Sequence, residues 1–197
     1  MQCSRGLRLK AAWFIRTEMD APNDRLLIST IGHSSHSAER FLELLRAHDV
    51  RQVADVRFLP QSRRHPHFGK AALADSLEAA GIVYRHFPAL GGMRRPRLDS
   101  INTALREPAY RGYADHMQSR EFDEGLRALD AFARFAHTTV MCAEAQWSQC
   151  HRQLLADALL VRGVIVRHII PGLPPKPHEL SEFGRPDGAG VIYPGLL

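Results

Sequence analysis

The sequence predicts an α/β fold, a single domain in which a mainly parallel sheet of about five strands is flanked by helices. Three observations carry that expectation. Short β-rich runs alternate from Arg25 onward with stretches of helical period, the pattern of βα units. The runs are mostly apolar, as strands covered on both faces must be. Gly81 and Gly163 supply helix stops just before the next strand.

The first strand is expected over Leu26 to Ile31. Phe41, Leu44, Leu45 and His48 then fall at i, i+3, i+4 and i+7, one stripe of a helix. A second strand follows over Gln52 to Val56, and Leu73, Leu77 and Ala80 mark the next helix before a third strand, Ile82 to Phe87. The stretch from Ala89 to Arg111 breaks the rhythm with Gly91-Gly92, Arg94-Arg95-Pro96-Arg97 and Pro108, so it reads as a long connecting loop. Leu126, Leu129 and Ala133 place a third helix within Glu121 to Phe135, ahead of a fourth strand over Thr138 to Cys142. A fourth helix runs from about Gln149 to Val161 with Leu154, Leu155, Ala158 and Leu159 on one stripe, and Val164 to Ile170 is the fifth strand. Prolines and glycines dominate thereafter, so 171–197 reads as an irregular or extended tail. Residues 1–24 read as an N-terminal extension, whose part before Met19, basic and with a short apolar patch, lies ahead of a true start at Met19; the α/β domain itself spans 25–170.

Bulk composition narrows the function classes. With 197 residues, 45% of them hydrophobic, the chain is long enough for one substantial core. Three cysteines without regular spacing do not make a disulfide framework, and no apolar run approaches the ~18 residues of a membrane span. The expected location is therefore a reducing cytoplasm, with no membrane partner. A net charge of +5 favours anionic partners, a small molecule or a nucleic acid. Oligomeric state is not legible.

Functional groups of open parallel sheets gather beyond the carboxyl ends of the strands. Strand one leads into Gly32-His33-Ser34-Ser35, whose backbone N–H groups and hydroxyls suit an anion at a helix start or simply a serine N-cap. Strand two ends in Asp55-Val56-Arg57, with Pro60, Ser62, Arg63 and Arg64 beyond it. Guanidinium groups on a proline-stiffened loop suit bidentate contacts to phosphate, or make a solvated basic loop. Asp55 is expected to orient Arg57 or a serine. Tyr110, Tyr113 and Met117 repeat at helical spacing, more consistent with core packing than with base stacking.

The densest chemistry lies between Cys142 and Arg152. Cys142 ends a strand two residues before Glu144, which places both side chains on one side if the extended geometry continues. Cys150, His151 and Arg152 sit at the start of the fourth helix, where the dipole and Arg152 favour thiolate, so Cys150 is the better reactive thiol. Glu144 is placed to hold His151 in one tautomer or to act as a base. Two structural readings compete, His151 at the edge of the core and Cys142 as a small buried hydrophobe. A zinc site from Cys142, Cys150 and His151, with a fourth ligand from His33 or His168, is a further reading. Adjacent Cys and His differ from the usual ligand spacings, so no metal is assigned and no cofactor is specified.

Several separated motifs share a resemblance. Thr30-Ile-Gly-His-Ser34, Asp55-Val-Arg57 with Pro60 and Ser62-Arg63, Gly81-Ile82 with Tyr84, and Leu90-Gly-Gly92 belong to it, with Tyr110 to Met117. Above all, Met141-Cys-Ala-Glu144 with Cys150-His-Arg152 resembles the family catalogued as domain of unknown function 488. The resemblance runs in order from Leu26 to Ile170 and implies no established reaction. Trp147 stands where many members are expected to carry proline.

The leading expectation is an enzyme acting on a phosphate-bearing substrate, a nucleotide or nucleic acid. Cys142, Glu144, Cys150 and His151 form its catalytic set, and His33, Ser34, Arg57, Ser62, Arg63 and Arg152 its anion-binding set. The first alternative is a non-catalytic anion or nucleic-acid binding module whose Cys-Glu-Cys-His-Arg cluster is structural. The second is a thiol redox or metal sensor.

Overall fold

The computed structural model describes residues 25–195. The extension expected over residues 1–24, Cys3 and Met19 among them, lies outside the described residues. Five strands of one sheet are parallel: β1 (Leu27–Gly32), β2 (Gln52–Asp55), β3 (Val83–His86), β4 (Thr138–Cys142) and β5 (Ile165–His168). A two-residue edge strand, β6 (Lys176–Pro177), pairs antiparallel with β5. The order across the sheet is β3-β2-β4-β1-β5-β6, so β4 lies between β1 and β2.

Helices cover both faces. On one side α1 (Ala38–Ala47) and α2 (Lys70–Ala79) pack Phe41, Leu44, Leu45, Leu73 and Leu77 against Ile31, Val53 and Met141. On the other, α3 (Pro108–His116), α4 (Arg120–Ala133) and α5 (Arg152–Val161) pack Tyr113, Phe122, Leu126, Leu129, Leu154 and Leu155 against Ile28, Ala54 and Val140. Val140 and Met141 are neighbours in the chain but serve opposite cores, because strand side chains alternate. β4 is buried throughout, and its Val140, Met141 and Cys142 suit a strand covered on both sides. Ser37 and Ser119 cap α1 and α4 through their hydroxyls, and Gly81 and Gly163 adopt positive φ where their helices stop.

Two stretches differ from the sequence expectation. The loop expected to run to Arg111 turns helical at Pro108, which occupies the first turn of α3, where a missing N–H costs nothing. The proline-rich segment after Ile170, expected as a tail, forms β6 and a hairpin of β7 (Arg185–Asp187) and β8 (Gly190–Ile192). It also sends His178, Val191 and Tyr193 into the core. Among the described residues, no helix is long and apolar enough to cross a membrane.

Candidate functional site

Parallel register brings three strand ends to one edge. Gly32 lies opposite Cys142 and Asp55 opposite Met141, so the residues after β1, β2 and β4 leave the sheet side by side. Pairing continues past the strands, with His33 and Ser34 donating their N–H groups to the carbonyls of Cys142 and Ala143 at 2.9 Å each. That pairing changes the expected role of Gly32 to Ser35. Two of the N–H groups foreseen for an anion are spent, and the N-cap of α1 is Ser37 rather than Ser34 or Ser35.

Gly32 is required by a close approach. A Cβ on it would stand 1.8 Å from the Glu144 carbonyl oxygen and 3.0 Å from the Arg152 guanidinium. Arg152, almost wholly buried, reaches back under the loop, donating to the carbonyls of Glu144 and Ala145 and, from Nε, to the Cys150 sulfur at 3.5 Å. Nε and one terminal nitrogen of its guanidinium are thus engaged by the thiol and the loop.

Arg57 is similarly committed. Nε and one terminal nitrogen form a fork on Asp55 at 2.9 and 2.6 Å, and the other terminal nitrogen donates to the Phe68 carbonyl at 2.8 Å and contacts His33 Nε2 at 3.3 Å. Asp55 also accepts from the Tyr84 hydroxyl at 2.8 Å. The buried charge of Arg57 is therefore neutralised at the strand end. His33, stacked on Phe68 at 4.1 Å, places Nδ1 2.9 Å from the Ser34 carbonyl. A carbonyl only accepts, so Nδ1 carries the proton and Nε2 faces Arg57 as an acceptor. Burial, reinforced by the Arg57 charge, pulls its pKa down to about 4, so His33 is neutral at pH 7.

The thiols meet. Cys150 is extended (φ -140°, ψ 151°) and His151 helical (φ -53°, ψ -16°), a bend that lets adjacent side chains turn to one point. Cys142 Sγ lies 3.9 Å and Cys150 Sγ 3.6 Å from His151 Nδ1. All three atoms fall within 4.8 Å of one another, a set able to hold a metal ion. Both cysteines are free and buried. The Cys142 thiol beside it, with His151 and Arg152, draws Cys150 toward thiolate despite burial. That neighbour and burial push the Cys142 thiol well up. Tyr113 meets the His151 ring edge-on at 5.0 Å, and Gly92 lies flat against it, where a Cβ would come within 3.0 Å of Nδ1. Among the described residues, His151 Nε2 is buried without a partner.

A cavity of about 420 Å³ opens over this cluster, lined by His33, Arg57, Ser62, Cys142, Glu144, Cys150 and His151 together with Phe58, Leu59, Met93 and Tyr110. A second depression holds Ser34, Arg63 and Arg64 and shares His33, Ser62, Ala143 and Glu144 with the first. Arg63 and Arg64 are exposed and form no ion pair among the described residues. The Glu144 carboxylate also projects without a hydrogen-bond partner among them. Tyr113 and Met117 are core, as the helical spacing suggests, whereas Tyr110 lines the cavity.

Sequence reasoning missed a second polar cluster. Thr30, His168, His178 and Asp157 form a buried chain with contacts of 2.8, 3.0 and 2.9 Å. His168, named as a candidate fourth zinc ligand, is occupied there on both ring nitrogens, and His33 is committed to Ser34 and Arg57.

The family model described as Domain of unknown function DUF488 matches residues 37–159. No curated protein and no solved structure matches the chain.

Proposed function

The chain belongs to the DUF488 family of unknown function, and from that premise we propose that it is an enzyme acting on a phosphate-bearing substrate. One observation carries this reading. Two adjoining depressions share His33, Ser62 and Glu144, one presenting the unpaired cations Arg63 and Arg64 and the other the sulfur-imidazole cluster. A substrate with its phosphate on the arginines reaches the cluster with its uncharged part.

The larger cavity suits that part. Its volume lies within the ~300–1,000 Å³ of small-molecule sites, and Phe58, Leu59, Met93 and Tyr110 offer apolar and aromatic walls of the sort that accept a base or a sugar. Cys142, Cys150 and His151 form the reactive end, and Glu144, unpaired at the junction, moves protons there. Arg63, Arg64 and Ser62 replace Arg57 and Arg152 as the anion-binding set, since both buried arginines are already neutralised or spent on carbonyls and sulfur.

Reduced protein challenged with nucleoside phosphates, sugar phosphates and short single-stranded oligonucleotides tests the reading. Salt-sensitive binding is expected to weaken in Arg63→Ala and Arg64→Ala, and turnover to vanish in Glu144→Ala with the fold intact. Binding without any turnover, unaffected by Glu144→Ala and His151→Ala, instead identifies a non-catalytic module.

A further inference from the structure

We propose that Cys142, Cys150 and His151 are three ligands of a zinc-class divalent cation whose fourth coordination position opens into the cavity beside Glu144. The inference rests on the preceding reading for the cavity as the reactive end, and adds the cofactor that works there.

Distances carry the argument first. Zinc–sulfur bonds of ~2.3 Å and zinc–nitrogen bonds of ~2.0 Å at the tetrahedral angle set a sulfur–nitrogen edge of ~3.6 Å. The two edges here measure 3.6 and 3.9 Å, and the third ligand atom pair lies within the same 4.8 Å span. A hydrogen bond to Nδ1 engages one sulfur well; two sulfurs converging on one ring nitrogen is the layout of a chelate.

The surroundings agree. Soft thiolates with an imidazole select zinc over hard cations such as magnesium or calcium. Arg152 Nε donates to Cys150 Sγ and offsets the charge that two thiolates bring, a role met around metal-bound sulfur. Gly92 and Tyr113 fix the imidazole plane, so Nδ1 has one direction in which to act. Among the described residues no carboxylate or third thiol joins the three ligand atoms, and the histidines named for that place are occupied elsewhere. Three protein ligands with an open fourth position is the arrangement of catalytic rather than structural zinc. The open position faces the cavity that both sulfurs line, with the unpaired Glu144 carboxylate in the same wall. A cation held by Cys142, Cys150 and His151 would supply an acidified water there, with Glu144 in the cavity wall beside it.

Titration of reduced, metal-stripped full-length chain with cobalt(II) tests the site. Expected are about one cobalt per chain, sulfur-to-cobalt charge-transfer bands and the intense visible bands of tetrahedral coordination, displaced by zinc. Cys142→Ser, Cys150→Ser and His151→Gln should each weaken cobalt binding by at least about 10-fold and change the charge-transfer band, with circular dichroism showing a folded chain. Glu144→Gln should keep the bands, since the carboxylate is beside the ion and not on it. Absence of charge-transfer bands, or bands that survive both cysteine substitutions, overturns the proposal. Inorganic phosphate binding to the metal-free chain separates the two readings. Phosphate bound through Arg63 without any cobalt site sinks only the metal; a cobalt site without phosphate binding sinks only the phosphate-bearing substrate.

Discussion

Two histidine clusters lie at neighbouring strand ends, and they differ in how completely their polar atoms are spent. The Thr30–His168–His178–Asp157 chain uses everything. Asp157 only accepts, so His178 donates from Nε2 and accepts at Nδ1 from His168 Nε2, leaving His168 Nδ1 to accept from the Thr30 hydroxyl. Asp157 accepts further bonds from the Ser181 backbone at 2.9 Å and from the Tyr193 hydroxyl at 2.8 Å, tying the C-terminal segment to the core. Beyond Trp147, whose ring stacks on His168 at 3.8 Å, the Cys142–Cys150–His151 cluster holds its two sulfurs and Nδ1 together only by weak sulfur contacts of 3.6 and 3.9 Å, and its residues line a cavity. A saturated polar network stabilises a fold, whereas groups left unsaturated at a cavity are available to a ligand.

The sharpest way to break that contrast is Asp157→Ala. It orphans donors on His178, Ser181 and Tyr193, and a loss of about 3–5 kcal/mol is expected, roughly 10 °C or more in melting temperature for a chain of this size. A fall of only a degree or two by differential scanning calorimetry would show that the saturated cluster is not structural. Gly32→Ala comes next. Its new methyl group must push the Glu144 carbonyl aside, costing about 2–3 kcal/mol by thermal melting, with loss of cobalt binding as the loop shifts.

Acid separates the clusters by titration. Burial, with the charges of His178, Arg152 and Lys176, holds His168 down to about 3, against 6.5 for the free group. Both states are neutral at pH 7, and below 6.5 the unfolded chain takes a proton that the folded chain refuses. The stability therefore falls as pH drops from 6.5 toward about 3, and His33, held to about 4, acts in the same sense. Urea denaturation across that range should show the slope, flattened in a His168→Gln variant. The smallest effects belong to the unsaturated side. His151→Ala should change the stability of the metal-free chain by about 1 kcal/mol or less, and Arg63→Ala by no more than about 0.5 kcal/mol, while each removes its function. Large destabilisation by His151→Ala in denaturant melts would return that cluster to the core.

The sheet was legible because its central strands are mostly apolar runs bounded by turn residues, and β2 and β4 begin where the pattern places them. Strand-end position likewise pointed to Cys142, Glu144 and Arg63. The sequence also places Asp55 to orient Arg57, as it does, although it does not show that this fork and the Phe68 carbonyl take up the guanidinium. What local pattern does not carry is where a long side chain bends over a greater distance, as Arg152 does beneath Glu144. The meeting of Cys142 with Cys150 depends on the loop between them closing through a short helical turn, Trp147–Gln149, which has no periodicity to read. The Asp157 network joins residues from β1, α5, β5 and the C-terminal segment, and strands of two or three residues containing proline give no alternating signal.

The position of β4 between β1 and β2 has a consequence for synthesis. A nascent chain that has reached Ala136 holds β1, β2 and β3 but lacks the strand that joins the first to the second. The pairing of Ile28 with Thr138 closes across more than half of the chain, a late and entropically demanding event. The ribosome must therefore deliver the central strand, with Cys142 at its end, before β1 can join the β2–β3 pair, and Cys150 and His151 emerge only after it.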